Sequence, residues 1–138
     1  MTDKKVLRVV GCIVRHNADI LMLFRTKKET DPSLWGIPGG KVEAGETDDQ
    51  AIARELFEET GIKSEVSQFR RLGELPIEYP NMTVVFPVFE LHVNQRPSIV
   101  LQPREHVDYK WMTAEQILAH ADLMQDVDVI IKTFALNK

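Results

Sequence analysis

The chain has 138 residues, 43% of them hydrophobic and 28% charged, which suits one globular domain and excludes disorder as the main state. A net charge of −4 excludes a broad basic surface for a nucleic-acid polymer, although an acidic protein still binds phosphates where metal ions carry the positive charge. The single cysteine, Cys12, excludes an internal disulfide and fits a reducing compartment. It lies in the apolar run Val9 to Val14 and reads as a buried structural thiol.

Met1 to Lys5 leads into a strand and not into a signal peptide, and no apolar run is long enough to span a bilayer. The expected location is therefore the cytoplasm, with no membrane partner. Val6–Arg15 and Ile20–Phe24 are rich in β-branched and apolar residues around the turn-forming His16 to Asp19, which predicts a β-hairpin. Arg25 to Ser33 is a polar loop. Trp35-Gly36-Ile37-Pro38-Gly39-Gly40 is a strand end passing into a glycine-rich turn. A helix is predicted over Asp48–Thr60, then a strand over Glu65–Glu74 and another over Met82–Val93. Pro87, inside that last run, predicts an edge position or a bulge. A short strand over Val107–Met112 and helices over Thr113–His120 and Asp126–Ala135 complete the order. The pattern predicts an α+β fold, a mixed β-sheet sandwiched between helices.

The helix from Asp48 has a clean start and stop. Thr47 is placed to cap it and Gln50, three residues on, to close a capping box, while Gly61 supplies a left-handed end. At about 100° per residue, with Ala51 at zero, Ile52 and Leu56 fall near 100° and 140°. Glu58, Glu55 and Glu59 fall near 340°, 40° and 80°. Arg54 precedes Glu58 by one turn and is placed to steady a carboxylate. Three carboxylates at the C-terminal half of a helix oppose its dipole and one another. A divalent cation removes both penalties, and an oxygen-only set favours Mg²⁺ or Mn²⁺ over zinc. On the helix alone, a solvated acidic face would look the same.

The preceding segment decides between them. Gly40, five residues, Glu46, seven residues, then Arg54-Glu55-Leu56-Phe57-Glu58-Glu59-Thr60-Gly61-Ile62 gives seven fixed positions. At about one in fifteen each, chance produces that match about once in 10⁸. The pattern is that of the Nudix box, here residues 40–62, and the chain resembles the Nudix hydrolases from about Val6 to Phe134. The resemblance implies an α/β/α sandwich with the whole chain, 1–138, as one hydrolase domain. It implies metal ligation by Glu55, Glu58 and Glu59 with the Gly40 carbonyl, and orientation of the carboxylates by Arg54 and Glu46.

Within the family the chain looks most like the short, MutT-like enzymes that cut a nucleoside triphosphate into monophosphate and pyrophosphate. That likeness implies phosphate contacts from Arg25 and Lys41. It makes Glu105 a metal ligand or general base, and Asp126 the reader of the base edge. Tyr79 and Phe86 are candidates for stacking on a base. Each has a plainer reading: surface cations for Arg25 and Lys41, a solvated Glu105, a helix cap for Asp126, and core or edge aromatics for Tyr79 and Phe86. Pro76 and Tyr79 also fall fifteen and eighteen residues after Gly61. Those spacings are near ones associated with ADP-ribose and dinucleoside polyphosphate hydrolases, which remain the alternative substrates. A non-catalytic nucleotide-binding module is disfavoured because every box carboxylate is present. His16, His92, His106 and His120 are scattered, without metal-ligand company. The expected partner is a nucleotide, and the expected state a monomer or a homodimer.

Overall fold

The computed structural model describes residues 4–26 and 33–136. Strand β1 (Lys5–His16) turns through Asn17, at φ 54°, into β2 (Asp19–Arg25), as the hairpin pattern requires. An asparagine tolerates that left-handed conformation at small cost. The two strands pair only at the turn, through Arg15↔Ile20 and His16↔Asp19. They then diverge, and β4 (Gly39–Lys41) pairs with β1 over Val9, Val10 and Gly11. The short β3 (Trp35–Gly36) pairs with β2. After α1 (Asp48–Thr60) come β5 (Arg70–Glu78), β6 (Met82–His92), β7 (His106–Thr113), α2 (Ala114–Leu118) and α3 (Val127–Phe134). β6 runs parallel to β1 and antiparallel to β5, and β7 pairs with β2, so the sheet is mixed.

Side chains along each strand alternate between two cores, as the period of 2 dictates. Val10, Cys12, Val14, Leu21 and Leu23 meet Ala51, Ile52 and Leu56 of α1 on one face. Ile13, Ile20, Met22 and Val88 meet Ile117 of α2 and Ile130 and Ile131 of α3 on the other. The result is the α/β/α sandwich expected. Among the described residues no helix is long and apolar enough to cross a membrane. Cys12 is fully buried and its thiol is pushed well above the usual range by desolvation, which makes it inert.

Two local expectations are corrected. The strand predicted over Glu65–Glu74 begins only at Arg70, because the Gln68 side chain accepts from the Glu65 N–H and closes a single 3₁₀ turn over Val66–Gln68. Pro87 is not on an edge: β6 lies between β1 and β5. Its missing N–H falls where the β1 ladder skips from Val85 to Val88, while Pro87 still pairs with Glu74 across the other side. Opposite it β5 carries an irregularity between Arg71 and Gly73.

Candidate active site

The loop and helix of residues 39–61 form one unit. The Thr47 hydroxyl accepts from the Gln50 N–H at 3.2 Å, the Gln50 side chain accepts from the Thr47 N–H at 3.0 Å, and Gly61 ends α1 at φ 77°. Arg8 of β1 donates twice to Asp48, at 2.6 and 3.1 Å, and so ties the start of the helix to the sheet. Arg54 organises the rest. Its guanidinium forks onto Glu46 at 2.8 and 3.0 Å, and donates to Glu55 at 2.9 Å, to the Lys41 carbonyl at 3.1 Å and to Glu58 at 3.4 Å. That fork holds the Glu46 carboxyl down at about 2, helped by the Glu43 N–H. A planar, five-donor side chain is suited to clasp a loop and two helix carboxylates at once.

The three helix carboxylates differ in their surroundings. Glu58 is 54% exposed, Glu55 is 14% exposed against Gly40, and Glu59 is buried at 6%. Glu59 therefore lies in the core stripe of α1 and not on an open acidic arc. It accepts from the Gly39 N–H at 2.8 Å. Desolvation pushes its carboxyl up to about 8; the Gly39 N–H opposes the shift, and Glu55, Glu105 and Glu58 add to it. Burial likewise raises Glu55, against the pull of Arg54. Gly40 leaves room for Glu55: a Cβ there would stand 2.5 Å from the Glu55 carboxyl and displace it.

Glu105 reaches this group from the loop before β7, where its N–H and that of His106 both donate to the Gln102 carbonyl at 2.9 Å. Ligand atoms of Glu59, Glu105 and His106 lie within 4.8 Å of one another. The expectation that no histidine keeps metal-ligand company is thus wrong for His106. The local sequence carries only the neighbouring Glu105; Glu59 arrives from another element. Mutually repelling carboxylates, the buried Glu59 and the exposed Glu105, suit a divalent cation of the hard, oxygen-preferring kind.

A cleft of about 660 Å³ runs from these carboxylates across β1 and β4 to α3. Glu55, Glu59 and Glu105 line it, with the cations Arg25 and Lys41 and the apolar Ile37, Phe86, Met124 and Ile130. Phe86 therefore faces the cleft. Trp35 is buried against Phe24, and Trp111 packs with His16, so both tryptophans are packing residues. Asp126 and Tyr79 are brought together but do not line the cleft; Gln125 and Val127, beside Asp126, do. The Tyr79 hydroxyl donates to Asp126, which raises the Tyr79 hydroxyl to about 12. Asp126 sits at φ 73° and makes no side-chain cap, so the helix-cap reading is corrected. Sequence reasoning passed over Gln125, whose only distinction is its place in the cleft. Pro76 is exposed on β5, outside the cleft.

Residues 5–134 match the sequence profile of the NUDIX domain. The chain belongs to the Nudix hydrolase family, whose enzymes act on phosphoric anhydride bonds. It is 29% identical over 135 residues to a CTP pyrophosphohydrolase of Escherichia coli K12, covering 96% of this chain and 95% of that one. It is 34% identical over 91 residues to an 8-oxo-dGTP diphosphatase of Proteus vulgaris, covering 64% and 79%. The crystal structure of a MutT protein from Methanosarcina mazei Go1 superposes with a TM-score of 0.78 at 27% identity, covering 97% of this chain and 96% of that one.

Proposed function

We propose that this protein hydrolyses a nucleoside triphosphate to the monophosphate and pyrophosphate, with Mg²⁺ as the metal and Mn²⁺ as a substitute. One observation carries the reading: a single cleft is lined by three carboxylates, Glu55, Glu59 and Glu105, by the cations Arg25 and Lys41, and by the apolar Ile37, Phe86, Met124 and Ile130. The pyrophosphohydrolase relatives support the same chemistry. Glu55, Glu58, Glu59 and Glu105, with the Gly40 carbonyl, would hold the metal. Bound there, it would neutralise the phosphates and lower the pKa of a water. The residues do the rest. Ile37, Phe86, Met124 and Ile130 take the base; Arg25 and Lys41 hold the phosphate chain; the Gly39 N–H fixes Glu59, and Arg54 fixes Glu55. Where Glu105 does not ligate the metal, it would take the proton from the attacking water.

Two results test this. A panel of canonical and oxidised nucleoside triphosphates, ADP-ribose and dinucleotides, incubated with Mg²⁺ or Mn²⁺, should give monophosphate and pyrophosphate from a triphosphate. With ¹⁸O-water the attacked phosphorus is identified, and orthophosphate as first product would refute the reading.

Asp126 stands beside the cleft wall, next to Gln125 and Val127, and is proposed to read a donor edge of the base from that rim, held in place by the Tyr79 hydroxyl. An ionised carboxylate only accepts hydrogen bonds, which suits guanine or a lactam-form oxidised purine. Asp126→Gly keeps the left-handed backbone without strain and removes the carboxylate. It is expected to raise KM and to compress the differences between bases by about 1–3 kcal/mol. Tyr79→Phe is expected to do the same to a smaller degree. An unchanged ranking of bases in Asp126→Gly would show that Asp126 serves Tyr79 alone.

A further inference from the structure

Strand β7 pairs with β2, and among the described residues nothing pairs with its other edge. The period of 2 divides its side chains between the two faces of the sheet. Trp111 packs in the core beneath α1 and Met112 in the core beneath α2 and α3. Val107, Tyr109 and Trp111 therefore share the first face, and Asp108 and Lys110 the second. Lys110 stands over the ring of Trp35, a member of that second core. Val107 is 55% exposed and Tyr109 39%, two large apolar side chains on a strand with an open edge. The backbone alternates as well. The Tyr109 N–H donates to the Asp108 carboxylate at 2.8 Å, and the Thr113 N–H to the Gln116 side chain at 2.9 Å. Both are turned away from β2, so the peptide groups of Val107, Tyr109 and Trp111 make the outward row.

We propose that this edge pairs antiparallel with the same edge of a second copy of the chain, giving a homodimer whose two-fold axis passes at Tyr109. A two-fold interface needs a surface complementary to itself, and β7 has one. Centred on Tyr109, the pairing sets Asp108 of each copy opposite Lys110 of the other, and Val107 opposite Trp111. The pairs that exchange N–H and C=O are then Tyr109 with Tyr109 and Val107 with Trp111, the residues whose peptide groups face outward. The Tyr109 N–H passes from Asp108 to a carbonyl of the second copy, and the freed carboxylate meets the lysine. Charge also fixes the register. Centring on Asp108 would set two carboxylates together, and centring on Lys110 two ammonium groups. A one-residue slip would set the apolar face against the charged one. An edge kept single carries charge that repels its own copy; this one carries opposite charges on either side of its centre. Glu105 and His106, which line the cleft, stand at the start of β7, so the pairing braces the strand that leaves the site. Nothing in it depends on which nucleotide the cleft takes.

Sedimentation velocity at about 100 μM, where protomer concentration favours assembly, is expected to give the wild type as a dimer. Asp108→Lys and Lys110→Asp should each raise its dissociation constant about tenfold or more, since symmetry sets like charges opposite twice. An equimolar mixture of the two variants should recover the dimer, because one copy then brings two lysines and the other two aspartates. The double swap, Asp108→Lys with Lys110→Asp, should recover it alone. Thermal melts of each variant confirm folding before mixing. A monomeric wild type at that concentration overturns the pairing. So does a dimer that both single variants leave intact, since the contact then lies elsewhere, and so does a mixture of folded variants that stays monomeric. Should a single variant fail to fold, Val107→Lys decides in its place: loss of the dimer supports the edge, and a wild-type dimer overturns it.

Discussion

Glu59→Gln is expected to lower kcat by about 10²–10³-fold or more while making the metal-free protein more stable above neutral pH. The two effects have one cause. Glu59 is buried beside Glu55 and Glu105, and its carboxyl is pushed up to about 8 from 4.5. Below 4.5 the folded and unfolded states are both protonated there, and burial carries no charge penalty. Between 4.5 and 8 the folded state keeps a proton that the unfolded state has lost. Stability then falls as pH rises, by at most about 1.4 kcal/mol per pH unit, and levels off above 8. Glutamine preserves the acceptor for the Gly39 N–H and removes the titration. In EDTA, the Tm of the variant should fall less than that of the wild type between pH 5 and 8.5. The acid side is set by other groups: Glu46 and Asp48 are held down by Arg54 and Arg8, and their contributions are lost as pH falls below the usual carboxylate range. Glu58→Gln should share the loss of kcat and lack the gain in stability, since Glu58 is half exposed. Wild-type turnover of both variants at saturating Mg²⁺ would remove these carboxylates from the reaction.

How much of this was legible in the sequence follows the range of the interactions. The helix α1, its capping box, its left-handed stop at Gly61 and the reach of Arg54 to Glu58 depend on spacings of three and four residues. Such spacings are written along the chain, and they were read correctly. The wheel also found the three glutamates, yet it drew Glu59 onto an acidic arc. A wheel fixes direction and not what lies opposite; here the Gly39 N–H and the sheet lie opposite, and Glu59 is buried. The start of β5 was misplaced because a side chain, Gln68, closes a turn that backbone propensity does not record. Of the two alternatives for Pro87, the edge fails and an irregularity in the β5–β6 ladder stands nearby; edge or interior is a property of strand order, and parallel β1–β6 pairing joins residues some eighty positions apart. The meeting of His106 with Glu59 and the Tyr79–Asp126 contact were hidden for the same reason: the partner comes from a distant element.

The adjacent glycines of β4 should fail in opposite ways when each is made alanine. Neither has positive φ, so the consequences are steric and not conformational. At Gly39 the new Cβ would stand 2.0 Å from the Val10 carbonyl oxygen and 3.0 Å from the Gly11 Cα. Both obstacles are backbone of β1 and cannot swing aside. Strand β4 has to leave β1, and the Gly39 N–H leaves Glu59 without its donor. Gly39→Ala is therefore expected to lose about 1–3 kcal/mol or more of stability. At Gly40 the obstacle is the Glu55 carboxyl, with its carbon and Oε1 at 2.5 Å and Oε2 at 2.7 Å from the new Cβ. The far end of a flexible side chain rotates away at little cost in folding energy. It takes with it the contact to Arg54 at 2.9 Å and a carboxylate that lines the cleft. Gly40→Ala should keep a Tm within a few degrees of wild type, yet lose about 10–100-fold in metal affinity or activity. Thermal melts with and without Mg²⁺, run beside turnover assays, separate the two variants. A Gly40→Ala protein with wild-type kcat and a full Mg²⁺-dependent rise in Tm would show that Glu55 has no part in holding the metal.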